Sequence, residues 1–381
     1  MEQDEALLAD GVARLEAGDL AGAEAALRQV GVASYLCRDA LVALSRVMVA
    51  GGQLAEAQRC AEEADNLERD ARSLFQLGAV WMARGDATRA RGFFDQALDR
   101  QPDFVDAHIM LGHAHKAVNA TGPAMRAFEE ALRHEDAHAG ARYYLAELLL
   151  ELGDIARAHT QLHYLLQLQP DYGPAIVLMG DIAFHHKDYR QAIVEYVRGA
   201  QRGAADADVL HRLGQAFQYL GDRFQALKAF DRAIKENRQS WPIYQEAALI
   251  CEEMTWFNRG RRYHEALTFV QEFRIEAYKG LARVEAGIQA TGMVGIDPAG
   301  APEDNYDYLE GPFDVPDVLT AEQAEAAVAQ ATAVAVAPKL IGRAGRVGGD
   351  AFGVGAETAG YMADFVNAPV APPPPPKPPA P

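Results

Sequence analysis

Residues 74–102 read LFQLGAVWMARGDATRARGFFDQALDRQP, and the spacing of their apolar positions decides the fold. Leu74, Leu77, Gly78 and Trp81 fall three, one and three residues apart, which is one face of a helix. Gly85-Asp86 breaks that helix. Ala90, Phe94 and Ala97 then form the apolar face of a second helix, which Pro102 ends. Two helices of this length cannot bury their faces alone, so the pair is stable only when stacked on copies of itself.

The copies are present. The turn position recurs at Gly18, Gly52, Gly85, Asn119, Gly153, Lys187 and Gly221. Five residues on, an alanine recurs at Ala23, Ala57, Ala90, Ala124, Ala158, Ala192 and Ala226. The period is 34, with one step of 33 between Gly52 and Gly85. The pattern L-x-x-L-G-x-x-aromatic followed by A-x-x-x-F returns at Leu210, Leu213, Gly214, Phe217, Ala226 and Phe230. It returns in part at Leu111, Gly112, His115, Ala124 and Phe128. By these residues the chain resembles the tetratricopeptide repeat family over roughly residues 4 to 238.

The resemblance implies an all-α fold, a right-handed superhelical solenoid of helix-turn-helix repeats with a concave face. Gly78, Gly112, Ala146, Gly180 and Gly214 fall where helices come closest, and a larger side chain there should cost about 1–3 kcal/mol. Phe94, Phe128, Tyr196 and Phe230 are expected to fill the space beyond. The expected organisation is seven repeats over residues 1–238 and a divergent eighth with a capping helix over 239–290. A disordered Gly/Ala/Pro-rich tail, 291–381, would follow. In the eighth repeat Tyr263 replaces the small alanine. The capping helix, about Glu272 to Gln289, would dock through Ile275, Tyr278, Leu281, Val284 and Ile288.

The tail carries twelve Asp and Glu against four Lys and Arg and ends in APPPPPKPPAP, a polyproline II signature. Thr320-x-x-Gln323 reads as a capping box before a candidate helix, 321–336, with a shallow apolar side of Ala324, Val328, Ala331 and Ala335. Residues 305–315, NYDYLEGPFDV, mix acids with aromatics in the manner of a docking segment.

A net charge of −18 argues against nucleic acid or an anionic membrane surface as partner. No stretch reaches the 18 apolar residues of a membrane span, and the opening MEQDEALLADGVARLEAGD does not read as a secretory signal. Three cysteines, Cys37, Cys60 and Cys251, show no metal or redox spacing. A cytoplasmic location is therefore expected.

Apparent chemical motifs carry little. His134-Glu135-Asp136-Ala137-His138 matches the H-E-x-x-H of zinc peptidases, but the repeat register sets it across a connection between helices, so the histidines would not share one helix. His115 is expected in the core and His113 on the concave face, diverging. Gly342 to Gly349 lacks the Gly-Lys-Ser/Thr of a phosphate loop. No catalytic site, metal or cofactor is expected.

What remains is the groove. In the resembled family, positions two, five, nine, twelve and thirteen of each first helix line it, with six at the margin. Carried over by register, these include Arg72, Phe75, Ile109, Met110, His113, Lys116, Tyr143, Tyr144, Glu147, Val177, Asp181, Phe184, His211, Arg212 and Gln215. Gln76, Leu178, His185, Gln218 and Tyr219 flank them. The Lys-x-x-x-Asn clamp of chaperone-binding members is absent: the matching places hold Arg72 with Gln76, His113, and Gly140 with Tyr144. The expected function is a non-enzymatic adaptor or scaffold that binds a peptide segment of a partner protein in the groove. A second partner, or self-docking, would use residues 305–315. The alternative is a dedicated chaperone for a secreted or assembling client.

Overall fold

The computed structural model describes residues 2–291; the tail readings, including the helix over 321–336, lie outside the described residues. Among these residues there are seventeen helices and no strand. They fall into two compact units, and the division between Leu148 and Leu149 runs through α9 (Ala139–Glu151). The first unit contains the pairs α1 (Glu2–Glu16) with α2 (Leu20–Leu27), α3 (Cys37–Ala50) with α4 (Leu54–Leu67), α5 (Ala71–Ala83) with α6 (Ala87–Arg100), and α7 (Val105–Ala117) with α8 (Thr121–His134). The second contains α10 (Ile155–Leu168), α11 (Gly173–His185) with α12 (Tyr189–Gln201), and α13 (Ala207–Tyr219) with α14 (Arg223–Glu236). It ends with α15 (Trp241–Glu253), α16 (Phe257–Thr268) and α17 (Arg274–Thr291).

The turn inside each pair explains the period. The residue at the repeating position has a left-handed backbone: φ is +79° at Gly85 and +81° at Gly221, but also +57° at Asn119 and +63° at Lys187. Where an aspartate follows, it caps the second helix. Asp86 accepts from the Arg89 N–H at 3.0 Å, and Asp188 and Asp222 from Gln191 and Gln225 at 3.1 Å each. The lattice extends one step further than glycine reveals, because Thr255, at φ +61°, makes the same turn between α15 and α16.

Inside a pair, an aromatic ring of the second helix closes against a glycine of the first. A Cβ added to Gly78 would stand 2.5 Å from the Phe94 ring, one on Gly112 2.6 Å from Phe128, and one on Gly180 2.7 Å from Tyr196. Phe94, Phe128, Tyr196 and Phe230 are fully buried, so these rings have nowhere to retreat.

The last pair is built differently. The expectation that Tyr263 replaces the small residue is corrected: Gly260, five residues after the Thr255 turn, holds that position, and the Tyr263 hydroxyl three residues on donates to Asp231, which also holds the Arg259 guanidinium. Arg259 Nε donates to the Tyr263 oxygen at 3.2 Å. Arg259 is 2% exposed, so this pair is closed by a buried polar knot in which the two charges are paired.

The terminal helix corrects the sequence expectation. Of the five residues expected to dock, Val284 is buried, whereas Ile275 is 71% and Tyr278 60% exposed. The docking face is Ala277, Gly280 and Val284. The cause is the closeness of α17 to α16: the His264 ring lies against the Gly280 backbone, which leaves no room for a large side chain.

Two stability measurements follow. Gly112→Ala gains about 1 kcal/mol of helix propensity but overpacks against Phe128, so urea unfolding should show a net loss of about 1–2 kcal/mol. Thr255→Gly releases a left-handed β-branched residue and should raise stability by about 0.5–1 kcal/mol after the entropy of the unfolded glycine is counted. An unchanged midpoint in either variant contradicts the packing or the turn account respectively.

Candidate functional site

The first helix of each pair carries the residues expected to line a groove, and each unit arranges its own set. In the first unit Phe75 is buried, with ring centroids 5.6 Å from Phe94 and 4.9 Å from Phe104. Gln76 donates to Ser45 Oγ at 2.9 Å, and that hydroxyl donates to the Ala57 carbonyl at 2.8 Å. Ile109 and Met110 are buried. Arg72, at the start of α5, is partly exposed.

His113 does not face outward. It is 2% exposed, held edge-on to Tyr144 at 4.3 Å and to Phe128 at 5.3 Å. His115, expected in the core, is the more exposed of the two. The reason is the neighbouring pair: Tyr144 swings under α7 and covers the ninth residue of that helix. Burial, reinforced by the Lys116 ammonium, pushes the His113 imidazole down to about 3. Tyr144 is buried with it, while Tyr143 stays part-exposed, edge-on to Tyr144 at 5.2 Å. Beside Tyr143, Lys116 Nζ bonds Glu147 Oε2 at 2.8 Å, with both side chains partly exposed.

The second unit repeats the scheme in polar form. Val177 and Leu178 are buried. Asp181 accepts from the Tyr196 hydroxyl at 2.7 Å and from Arg212. Burial, ahead of the Asp181 charge, lifts the Tyr196 phenol well above its ordinary value, so it remains a donor. Glu246 Oε1 receives Gln215 Nε2 at 3.1 Å and lies 3.0 Å from His211 Nε2.

A rule connects these contacts. Counted from the start of each first helix, residue nine meets residue six of the next: His113 with Tyr144, Asp181 with Arg212, Gln215 with Glu246, each 31 residues apart. Tyr196 reaches this face from the second helix, 15 residues from Asp181, and Glu246 belongs to it by the rule although register alone did not select it. For Glu246 the signal was a donor and an acceptor 31 residues apart.

Phe184 belongs to a separate cluster at the turn after α11. Tyr189 and Tyr219 stack with centroids 4.6 Å apart and planes 8° from parallel, and Phe184 packs edge-on to both at 5.3 and 5.6 Å. An open groove of about 790 Å³ in the same unit is lined by Asp154, His159, Ile182, His186 and Glu195, among others. His134 ends α8 and stacks on His108 at 5.4 Å, while His138 Nδ1 accepts the Ala141 N–H at 3.0 Å beside the first turn of α9. Among the described residues, no group of three or more His, Cys, Asp or Glu could hold a metal ion, and no helix is long and apolar enough to cross a membrane.

Two family models, both described as tetratricopeptide repeat, match residues 145–208 and 208–240. The TPR repeat-containing protein YpiA of Bacillus subtilis is 22% identical over 213 residues, covering 55% of this chain and 50% of that protein. Tetratricopeptide repeat protein 21A of Mus musculus is 23% identical over 172 residues, 45% of this chain and 13% of that one. The chain thus spans about half the length of the first relative and a smaller part of the second. Among solved structures, the APC/C hetero-tetramer Cut9-Hcn1 superposes with a TM-score of 0.57 at 16% identity, over 71% of this chain and 52% of that one. A tetratricopeptide repeat protein from Parabacteroides merdae gives 0.50 at 18% identity, over 66% and 99%. At these identities the structural likeness is one of fold.

The buried imidazole sets a pH dependence. His113 is depressed from 6.5 to about 3 in the folded chain, so the unfolded chain binds the proton first as pH falls. The stability it permits is complete above pH 6.5 and is lost below it, by about 2–3 kcal/mol at pH 4.5. Urea unfolding at pH 7.5, 6 and 4.5 should show a shallower slope for His113→Leu than for the native chain; equal slopes would sink the assignment.

Proposed function

We propose, the chain being a tetratricopeptide repeat protein and so a protein-interaction scaffold, that it is a non-enzymatic adaptor whose first-helix faces bind an extended or helical peptide segment of a partner protein. The observation that carries this is the set of part-exposed polar side chains fixed in advance by the repeat-to-repeat contacts: Lys116 with Glu147, Asp181 with Arg212, and Gln215 and His211 with Glu246. Side chains already ordered lose little entropy when a ligand arrives, which favours recognition of backbone amides and charged groups. Tyr143 supplies an aromatic surface beside the first of these pairs.

The contact residues on this reading are Arg72, Lys116, Tyr143 and Glu147 in the first unit, and Asp181, His211, Arg212 and Gln215 in the second. The buried Phe75, Ile109, Met110, His113, Tyr144 and Val177 support them from beneath. A second docking function falls to residues 305–315, whose acids and aromatics suit either another protein or the chain itself. Three cysteines, none in a disulfide, fit a reducing compartment, and the cytoplasm is the location we assign. The acidic balance of −18 speaks for a protein rather than a nucleic-acid partner.

Affinity capture from native extract, read by mass spectrometry, tests the reading. Tyr143→Ala should lower recovery of the dominant partner about tenfold, the loss of one aromatic anchor, without moving the melting temperature. Unchanged recovery in that variant, with loss on removal of residues 292–381, would place binding in the tail instead.

A further inference from the structure

The aromatic cluster of the second unit has a chemistry of its own. Tyr189 and Tyr219 present stacked rings, Tyr219 is 62% exposed, and Leu220, next in the chain, is 37% exposed. Large apolar side chains grouped at one edge mark a surface kept for a contact. Among the described residues neither the Tyr189 nor the Tyr219 hydroxyl has a hydrogen-bond partner, so two O–H donors stand at the border of an apolar patch. The charges around the cluster cancel: Lys187, Arg190 and Arg223 stand against Asp188, Asp222 and Glu253, which pairs with Arg223 at 2.6 Å.

The complement of such a patch is a segment with flat apolar rings, carbonyl acceptors, almost no N–H donors and little charge. A run of prolines has those properties. Each ring packs on an aromatic face, each carbonyl accepts from a phenol, and proline has no N–H to leave unsatisfied. The chain ends in APPPPPKPPAP over residues 371–381, in which Lys377 is the one charged residue. By contrast residues 305–315 bring Asp307, Glu310 and Asp314 to a patch with no net positive charge to receive them. Length sets no barrier. Residues 292–370 lie between α17 and the run, and at about 3.3 Å per residue they can span well over 100 Å.

We propose that the Phe184–Tyr189–Tyr219 cluster is the docking site of the chain's own proline run, residues 371–381. The run and any proline-rich segment of another protein then compete for one surface. Tethering supplies the run at high effective concentration, so a contact that is weak between separate molecules is occupied within one chain.

A labelled peptide of residues 369–381, followed by fluorescence anisotropy, tests this on full-length protein. One host is the native chain. The other carries Pro372→Ser, Pro373→Ser, Pro374→Ser, Pro375→Ser and Pro376→Ser, which removes the tethered competitor. The peptide should bind the substituted chain at least about tenfold more tightly than the native one. Adding Tyr219→Ala should abolish most of that binding, while Tyr219→Phe, which keeps the ring and removes the hydroxyl, should weaken it about three- to tenfold. Tyr219 is exposed, so neither change disturbs the packing of α13; unchanged melting curves verify this. Absence of binding to the substituted chain, indifference to Tyr219→Ala, or tighter binding of a peptide of residues 305–315 would overturn the site. Equal affinity for the two hosts, with sensitivity to Tyr219, would overturn the chain's own run as its occupant. Each outcome is independent of Tyr143, so this site and the peptide face proposed above can fail separately.

Discussion

Each well-formed helix pair depends on one contact, an aromatic ring of the second helix pressed against a glycine of the first. Gly78 with Phe94, Gly112 with Phe128, Gly180 with Tyr196 and Gly214 with Phe230 are all sixteen residues apart. The ring is among the largest fully buried side chains of the chain, and the missing side chain lets the backbones approach closely enough to bury it. Turn geometry and capping aspartates set the angle at which the two helices meet, but without that approach the angle would enclose a void.

The same contact governs the exposed face. Because the pair is narrow, the sixth residue of the next first helix reaches the ninth of the one before it. The identity of those two residues decides whether the face is dry or wet: His113 and Tyr144 make an aromatic rung, Asp181 and Arg212 a charged one. At Tyr196 the two levels join, since its ring closes the core of the pair and its hydroxyl holds Asp181 at the surface. A change in packing at that tyrosine is thereby felt in the polar face that the proposed ligand would meet.

Much of this was legible in the residues. The period of the turns, the small residue and the aromatic sixteen positions on are local signals, repeated often enough to fix helix boundaries and pairing. The orientation of single side chains was not, because it depends on the neighbouring pair. His113 reads as outward by register until Tyr144 covers it, and the expected stripe on α17 reads as buried until Gly280 shows how near α16 lies. Thr255 escaped notice because a β-branched residue is a poor candidate for a left-handed turn, and only the fold around it holds it there. Tyr263 reads as replacing the small residue only until the Thr255 turn hands that position to Gly260, and its partners Asp231 and Arg259, 32 and four residues away, follow no repeat rule.

That exception bears on how such an array can change over generations. Pairs closed by a glycine and a ring share one core pattern, and where their rungs are part-exposed, as Asp181 with Arg212 is, unequal exchange between coding segments that adds or removes a pair parts charges that water can still reach. The final pair is not interchangeable. Its Arg259 is neutralised by Asp231 from the pair before, so a copy inserted between α14 and α15 would separate the partners and strand a guanidinium in the core. An insertion between α14 and α15 therefore costs more than one between the pairs upstream, where the rungs are part-exposed.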